Sequence, residues 1–420
     1  MGSEEPRPGS PRAALARLLV ALALATTLGG AVAAAAPGRV SEQQLGAIQL
    51  PPGFRINVYA EGLGYARMMA FNGQGGLLVT APSQDLAGDT CNGGGCARNA
   101  GRVYLLPDRD RDGVADRTVV LADGLDRPHG IAYHEGAIYV AEHGRVVRLP
   151  DRQEPIAPSD VEVVVADLPI NPGSSHWTRT LAFGLDGKLY VSAGSNCNVC
   201  EVPDERLATV LVHEADGSGQ RIFARGLRNA VGLAVDPRSG TLWASINMRD
   251  LVGDDFPPEL LTEVRDGDHF GWPFCNAGTP DPDFGHLGDC TQTRPPTLFL
   301  PAHSAPLGMA FYTGQQFPAE YRGDLFVALH GSWNRSRPQG YKVVRVPMTH
   351  GMAGLAQDFA SGWLPAEANC NNRPADAERN TGICRADVWG RPVALAVGPD
   401  GAMYLSDDTS GVIYRITYAP

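Results

Sequence analysis

Lysine is nearly missing from this 420-residue chain: Lys188 and Lys342 are its only two, so arginine carries almost all of the positive charge. Lys188 falls in a turn and Lys342 in a strand-like run, which argues against Schiff-base chemistry on a desolvated amine. Functional cations are left to arginine, whose planar fork recognises carboxylates with two parallel hydrogen bonds. A basic surplus is missing too. The formal net charge is −11, a poor balance for binding nucleic acid or an anionic membrane. Beyond residue 36 no apolar run is long enough to cross a bilayer as a helix. Helical periodicity is almost absent, which disfavours a helical solenoid. Cys197-Asn-Val-Cys200 is followed by Glu201 instead of histidine, which excludes covalent haem attachment, and no thioredoxin-like βαβ pattern surrounds the pair.

What is present begins with a leader. Arg7, Arg12 and Arg17 precede an apolar run over residues 18–28 and a small-residue stretch ending at Ala36. This reads as a signal peptide over residues 1–36, with a mature chain over 37–420 that is periplasmic or secreted. Cleavage removes three arginines and two glutamates, a net +1, taking the charge from −11 to −12. Eight cysteines form four local pairs: Cys91/Cys96, Cys197/Cys200, Cys275/Cys290 and Cys370/Cys384. In an oxidising compartment such a set reads as loop-stapling disulfides, and a four-cysteine zinc site would need distant pairs to combine.

A repeat organises the rest. Short β-branched runs alternate with Gly- and Pro-rich turns, and the unit is clearest where strands at Gly130-Ile-Ala-Tyr-His, Ala137-Ile-Tyr-Val-Ala, Arg145-Val-Val-Arg-Leu and Val161-Glu-Val-Val-Val-Ala follow one another. The first two strands recur at Met68, Thr180, Val231, Leu307 and Val393, spaced roughly 50–85 residues apart. Six four-stranded units predict an all-β fold, a six-bladed β-propeller with loop insertions. Phe54-Arg-Ile-Asn-Val-Tyr is placed to complete the last sheet beside Val412-Ile-Tyr-Arg-Ile-Thr.

In a propeller the residues just before each first strand converge at one mouth of the channel. Here they are Arg67, Arg127-Pro-His129, His176, Arg228-Asn229, His303 to Pro306, and Arg391-Pro392. Only one copy of the repeat carries His176 at its position. Residues 249–300 read as an insertion that covers the mouth as a lid. Separately, Asp108-Arg-Asp110-Arg-Asp112-Gly113 with Asp116 matches the start of a calcium loop, although its twelfth position is Val119 instead of Glu.

The segments His176…Leu-Ala-Phe-Gly-Leu-Asp-Gly-Lys-Leu-Tyr-Val, Gly226-Leu-Arg-Asn-Ala-Val-Gly-Leu-Ala, Gly271-Trp-Pro, Gly331-Ser-Trp-Asn-Arg-Ser and Gly390-Arg-Pro-Val resemble the soluble glucose/sorbosone dehydrogenase family, on its sorbosone side. The resemblance implies pyrroloquinoline quinone (PQQ) and Ca²⁺ as cofactors. It implies His176 as general base, with Arg228 and Asn229 contacting the quinone and the reacting hydroxyl, and Arg391 holding cofactor carboxylates. Arg67 and Arg335 are further cofactor candidates, and His129 and Trp177 candidate substrate contacts. A second Ca²⁺ would sit on backbone carbonyls near Asn247-Met-Arg249. In that family a second arginine follows the first, where this chain has Val393, and an acidic residue stands where this chain has Ser195. The implied activity is oxidation of a sugar or sugar aldehyde, with electrons passed to a soluble or respiratory-chain acceptor. The alternatives are a metal-dependent lactonase on the same scaffold, or a non-catalytic carbohydrate- or protein-binding propeller.

Overall fold

The computed structural model describes residues 39–83, 98–170, 176–366, 368, 373–376, 381–383 and 388–420. The expected leader lies outside these residues, as do the pairs Cys91/Cys96 and Cys370/Cys384. The other two pairs are disulfides, Cys197–Cys200 and Cys275–Cys290. Among the described residues, no helix is long and apolar enough to cross a membrane.

Six antiparallel four-stranded sheets follow one another along the chain. Blade 1 comprises Met69–Phe71, Leu77–Ala81, Gly101–Leu106 and Val119–Leu125, and blade 2 Ile131–His134, Ala137–Ala141, Val146–Pro150 and Glu162–Val165. Blade 3 comprises Leu181–Phe183, Leu189–Ala193, Thr209–His213 and Arg221–Arg225, and blade 4 Ala230–Val235, Leu242–Ile246, Glu259–Val264 and Leu298–Leu300. Blade 5 comprises Pro306–Phe311, Leu325–Leu329, Lys342–Val346 and Gln357–Ala360. Blade 6 is built from Pro392–Val397, Met403–Asp407 and Val412–Tyr418, and its fourth strand is Phe54–Ala60 from the other end of the chain. That pairing runs from Phe54 opposite Tyr418 to Val58 opposite Tyr414, so the predicted ring closure is present.

The repeat is chemical as well as geometric. In blade 3 the Asp186 carboxylate accepts from the Lys188 amide and the Tyr190 hydroxyl; in blade 6 Asp400 accepts from the Ala402 amide and Tyr404 in the same way. An Asp at the turn thus pins the hairpin and a Tyr four residues later. Second strands are apolar on both faces, and five of the six are buried throughout, because each sheet packs against a neighbour on either side. Hydroxyls near the ends of these strands stitch one blade to the next: Thr80 donates to the His129 carbonyl, Ser245 to that of Leu307 and Ser406 to that of Arg67. First-strand glycines permit the close approach around the axis. A Cβ on Gly232 would lie 2.1 Å from the Leu307 carbonyl oxygen of the next blade.

One reading of the sequence is corrected. Residues 249–300 are not a single insertion, since Glu259–Val264 and Leu298–Leu300 are the third and fourth strands of blade 4. Only the excursion between them is extra. It is fastened to blade 3, with Phe270 N–H bonded to the Arg225 carbonyl (2.9 Å) and Trp272 N–H to that of Gly226 (3.3 Å). Buried Arg249 pairs with Asp281 and Asp283 beneath it. The segment is a wall packed onto the barrel, with Trp272 2% exposed.

Candidate active site

In each blade the first strand begins, and the antiparallel second strand ends, at the same mouth. His176 therefore comes before the first strand of blade 3 and Ser195 after its second. His176 Nδ1 lies 3.1 Å from the Ser195 carbonyl oxygen and 2.8 Å from Ser195 Oγ. The carbonyl can only accept, and Ser195 Oγ gives its proton to the Cys197 carbonyl at 2.7 Å. Nδ1 must therefore carry the hydrogen, which leaves Nε2 as the basic nitrogen of a neutral ring. Burial, followed by the nearby Arg228 charge, pushes the His176 pKa well below its ordinary 6.5. Arg179, fully buried, donates to the carbonyls of His176, Thr178 and Pro169 and fixes the backbone that presents the imidazole. A Cβ on Gly194 would lie 2.8 Å from His176 Cβ and 2.5 Å from Asn229 Oδ1, so the two site residues meet over this glycine.

Arg228 sits beside this group in another role than the one expected. Nε donates to the Asn198 carbonyl (2.9 Å), Nη1 to the carbonyls of Asn247 (3.2 Å) and Met248 (2.6 Å), and Nη2 to Asn198 Oδ1 and Asp250 Oδ2 (both 2.8 Å). A guanidinium has five N–H donors, and five contacts to protein oxygens account for them. Arg228 is thus a clamp that gathers three loops, and its own carbonyl accepts from Ser195 N–H at 2.8 Å. The carbonyls of Asn247 and Met248, the expected second Ca²⁺ ligands, each accept one hydrogen bond from this clamp. Glu259, fully enclosed, holds the Met248 amide at 2.6 Å from below, and burial raises its pKa to about 8.

Across the mouth, Asp408 is held between two partners. Arg67 Nη1 pairs with Oδ2, and His330 Nε2 lies 2.9 Å and 3.0 Å from the two oxygens. Burial acts to raise the Asp408 pKa, but His330, Arg67 and Arg391 outweigh it and hold the carboxyl well below the usual range. An ionised carboxylate only accepts, so His330 carries its hydrogen on Nε2. Burial and then the Arg391 charge lower the His330 pKa to about 4. Arg391 donates to the carbonyls of His330 (3.1 Å) and Gly331 (2.9 Å), and no carboxylate lies within ion-pair distance of it among the described residues.

Three expected contacts lie elsewhere. His129 is fully buried, its Nε2 facing Arg67 at 3.3 Å and its Nδ1 facing Thr180 Oγ1 at 3.2 Å. Both ring nitrogens are used inside the protein, so His129 braces Arg67 instead of facing a substrate. Trp177 is 3% exposed, edge-on to His129 with Arg67 over its ring, and belongs to the wall. Arg335 is turned to the carbonyls of Asp254 and Ala302 and to Asp255. Sequence reasoning missed Asp408, His330, Asp250 and Asn198. Each follows the second strand of its blade, and extending the repeat count to those positions, as for the first strands, identifies them.

The acidic loop lies between the third and fourth strands of blade 1. Asp108, Asp110 and Asp116 bring one carboxylate oxygen each within 4.8 Å of one another, and this is the only metal-competent group of three or more among the described residues. Asp112 is not in it: its Oδ1 accepts from the Val114 amide at 2.8 Å to close the turn. A metal set at the channel mouth, which a lactonase would need, is not found among the described residues.

A family model described as "Domain of unknown function (DUF7133)" matches residues 40–267, and one described as "TrAA12-like" matches residues 284–419. The first covers more than half of the chain. The chain belongs to the DUF7133 family. An uncharacterized protein of Borreliella burgdorferi is 31% identical over 315 residues, covering 71% of this chain and 77% of its own length. A pyrroloquinoline quinone-dependent pyranose dehydrogenase of Coprinopsis cinerea is 28% identical over 425 residues, covering 87% of this chain. This chain spans about half, 54%, of that relative's length. The holo form of the Coprinopsis pyranose dehydrogenase PQQ domain superposes with a TM-score of 0.66 at 23% identity, covering 88% of this chain and 97% of that one, a likeness of fold. Homologues and structural neighbours of this DUF7133 member thus include soluble PQQ-dependent sugar dehydrogenases, and none of them singles out the sorbosone branch.

The mouth suits an anionic, polar group such as PQQ on grounds of its own. Among the described residues no carboxylate pairs with the Arg391 guanidinium. Asn229 Oδ1 and Arg67 Nε are buried with no hydrogen-bond partner among the described residues. Buried polar atoms without partners are uncommon; Asn229 meets His176 over Gly194, and Arg67 stands on the facing side of the mouth.

Proposed function

We propose that the chain is an exported quinoprotein that oxidises a sugar or sugar aldehyde, with His176 as general base. The observation that carries the reading is the His176–Ser195 pair, which holds the hydrogen on Nδ1 and leaves Nε2 of the buried, neutral ring as the proton acceptor. PQQ, when bound, supplies an ortho-quinone that takes the hydride leaving the substrate carbon. Arg391 would hold its carboxylates, with Asn229 beside the reacting hydroxyl. His176 Nε2 takes the hydroxyl proton, so the substrate loses one hydride and one proton in becoming a carbonyl or carboxyl compound. Arg228 acts through what it holds: it ties residues 195, 198 and 247–250 together, and its charge discourages protonation of His176 before the substrate arrives. Arg67, braced by Asp408 and His129, lines the opposite side.

A Ca²⁺ ion on Asp108, Asp110 and Asp116 completes the proposal in a structural role, outside the reacting centre. Electrons leave for a soluble or respiratory-chain acceptor.

The test is reconstitution of purified protein with PQQ and Ca²⁺, followed by dye reduction across aldoses and sugar aldehydes. Saturable PQQ binding with turnover of at least one such substrate is expected. The reading fails if PQQ does not bind in spectral titration.

A further inference from the structure

The loop after the second strand of blade 3 touches both His176 and Arg228, yet regular backbone pairing does not hold it. Among the described residues, no backbone–backbone hydrogen bond joins residues 196–203 to the rest of the fold. Side chains hold the loop instead. The Asn198 carbonyl accepts from Arg228 Nε at 2.9 Å and from Trp272 Nε1 at 3.2 Å. Asn198 Oδ1 accepts from Arg228 Nη2 and from the Asp250 amide, both at 2.8 Å, and its Nδ2 donates to the Asp250 carbonyl at 3.0 Å. One residue earlier, the Cys197 carbonyl takes the Ser195 Oγ hydrogen at 2.7 Å, the bond that leaves the ring hydrogen of His176 on Nδ1. A four-residue ring, closed by the Cys197–Cys200 disulfide, carries both sets of contacts.

This disulfide is within reach of reagents. Cys197 and Cys200 are both partly exposed, as are all residues from 196 to 200, whereas Cys275 of the other described disulfide is 1% exposed. Exchange requires a thiolate to reach one of the sulfurs, so access decides which bond a dithiol opens first. A dithiol that reduces Cys197–Cys200 gives up two electrons and two protons: the S–S bond breaks, two thiols form, and the reductant closes its own disulfide. The ring that orients the Cys197 carbonyl is then gone. Without that fixed acceptor the Ser195 hydroxyl is free to turn and donate to His176 Nδ1, 2.8 Å away. A hydroxyl is donor or acceptor, so the turn admits the tautomer with its hydrogen on Nε2. In that tautomer the nitrogen that served as base is already occupied.

We propose that Cys197–Cys200 is a site of thiol–disulfide exchange, open to a small or protein dithiol, whose reduction disables His176 as a base by releasing the Ser195 hydroxyl. The exchange and the change of tautomer stand apart from the dehydrogenase reading; only the loss of turnover rests on it. The probe is dithiothreitol, applied anaerobically to the apo-protein at neutral pH. Alkylation and peptide mass mapping are expected to find Cys197 and Cys200 as thiols while Cys275–Cys290 is intact. In parallel, imidazole nitrogen NMR signals of His176, identified by their loss in His176→Ala, are expected to move from the Nδ1–H towards the Nε2–H pattern and to return on reoxidation. In Ser195→Ala the disulfide opens without that movement. Because a dithiol also reduces a quinone, turnover is read in its absence, on a Cys197→Ala/Cys200→Ala enzyme reconstituted with PQQ and Ca²⁺. Its kcat falls about five- to tenfold, the worth of one hydrogen bond. The proposal is overturned if Cys275–Cys290 opens first, if Cys197–Cys200 opens and the His176 signals stay in place, or if the double variant turns over at the wild-type rate. If PQQ does not bind while the His176 signals respond, the exchange site stands and the dehydrogenase reading falls.

Discussion

At the scale of single residues, two neutral histidines set the pH behaviour. A carbonyl and a hydroxyl set the tautomer of His176 and an ionised carboxylate that of His330, while burial, and then the Arg228 and Arg391 charges, hold both below the ordinary 6.5. A base held down in this way is available throughout neutral and mildly acidic solution, so the acid limb of kcat/KM is expected below pH 6.5. A pH–rate profile with its acid inflection at or above that value contradicts the assignment. Stability follows the same sign. Below pH 6.5 the unfolded chain binds protons that these buried rings refuse, so the stability present above that pH is lost as pH falls through the folded values, about 4 for His330. His176 was legible in sequence because one copy of a repeat differs from the rest. Its partners were less so. Ser195 reads as a missing acid, yet its carbonyl and hydroxyl fix the tautomer, and a carbonyl has no signature in sequence. The Arg228 clamp was illegible for a related reason: four of its five acceptors are backbone or amide oxygens brought together only by the fold.

At the scale of elements, strands one to four of blade 2 fall within a residue or so of their sequence positions, since β-branched runs and turn residues mark both ends. Blade 4 was misread because its third and fourth strands are separated by a disulfide-bearing excursion, which breaks the spacing on which a repeat count depends. The acidic loop of blade 1 is the element with a prediction of its own. Burial, and to a smaller extent the Asp112 charge, raises the Asp108 pKa, so a cation there would relieve a crowded carboxylate. The loop also docks on the closing strand, the Ala115 amide on the Tyr59 carbonyl (2.8 Å) and Asn57 Nδ2 on the Gly113 carbonyl (2.9 Å). Millimolar Ca²⁺ is therefore expected to raise the melting temperature by about 2–4 °C, and a chelator to reverse it. Asp116→Asn should remove the response, and a wild-type melting temperature indifferent to Ca²⁺ would refute ion binding there.

At the scale of the molecule, the first and last strands of the propeller meet in blade 6, so the ring closes through the pairing of Phe54–Ala60 with Val412–Tyr418. Phe54 anchors this closure, its ring edge-on to Phe317, Tyr321, Phe359 and Tyr418 at 4.7–5.1 Å. Phe54→Ala should cost about 3–5 kcal/mol, measured by denaturant titration, because it empties a site where blades 5 and 6 both converge. A loss below about 1 kcal/mol would mean that the closing strand does not carry the ring. Closure matters to function because His176 comes from blade 3 and Arg391 and Asp408 from blade 6, so they share one mouth only when the ring is complete.

The central claim is that this mouth removes a proton through His176 while the neighbouring groups hold PQQ. The direct measurement pairs PQQ titration with dye-coupled turnover in wild type and His176→Ala. The account predicts equal PQQ affinity and a kcat lowered about 10²–10⁴-fold in the variant. A His176→Ala enzyme that binds PQQ normally and turns over at the wild-type rate would contradict it.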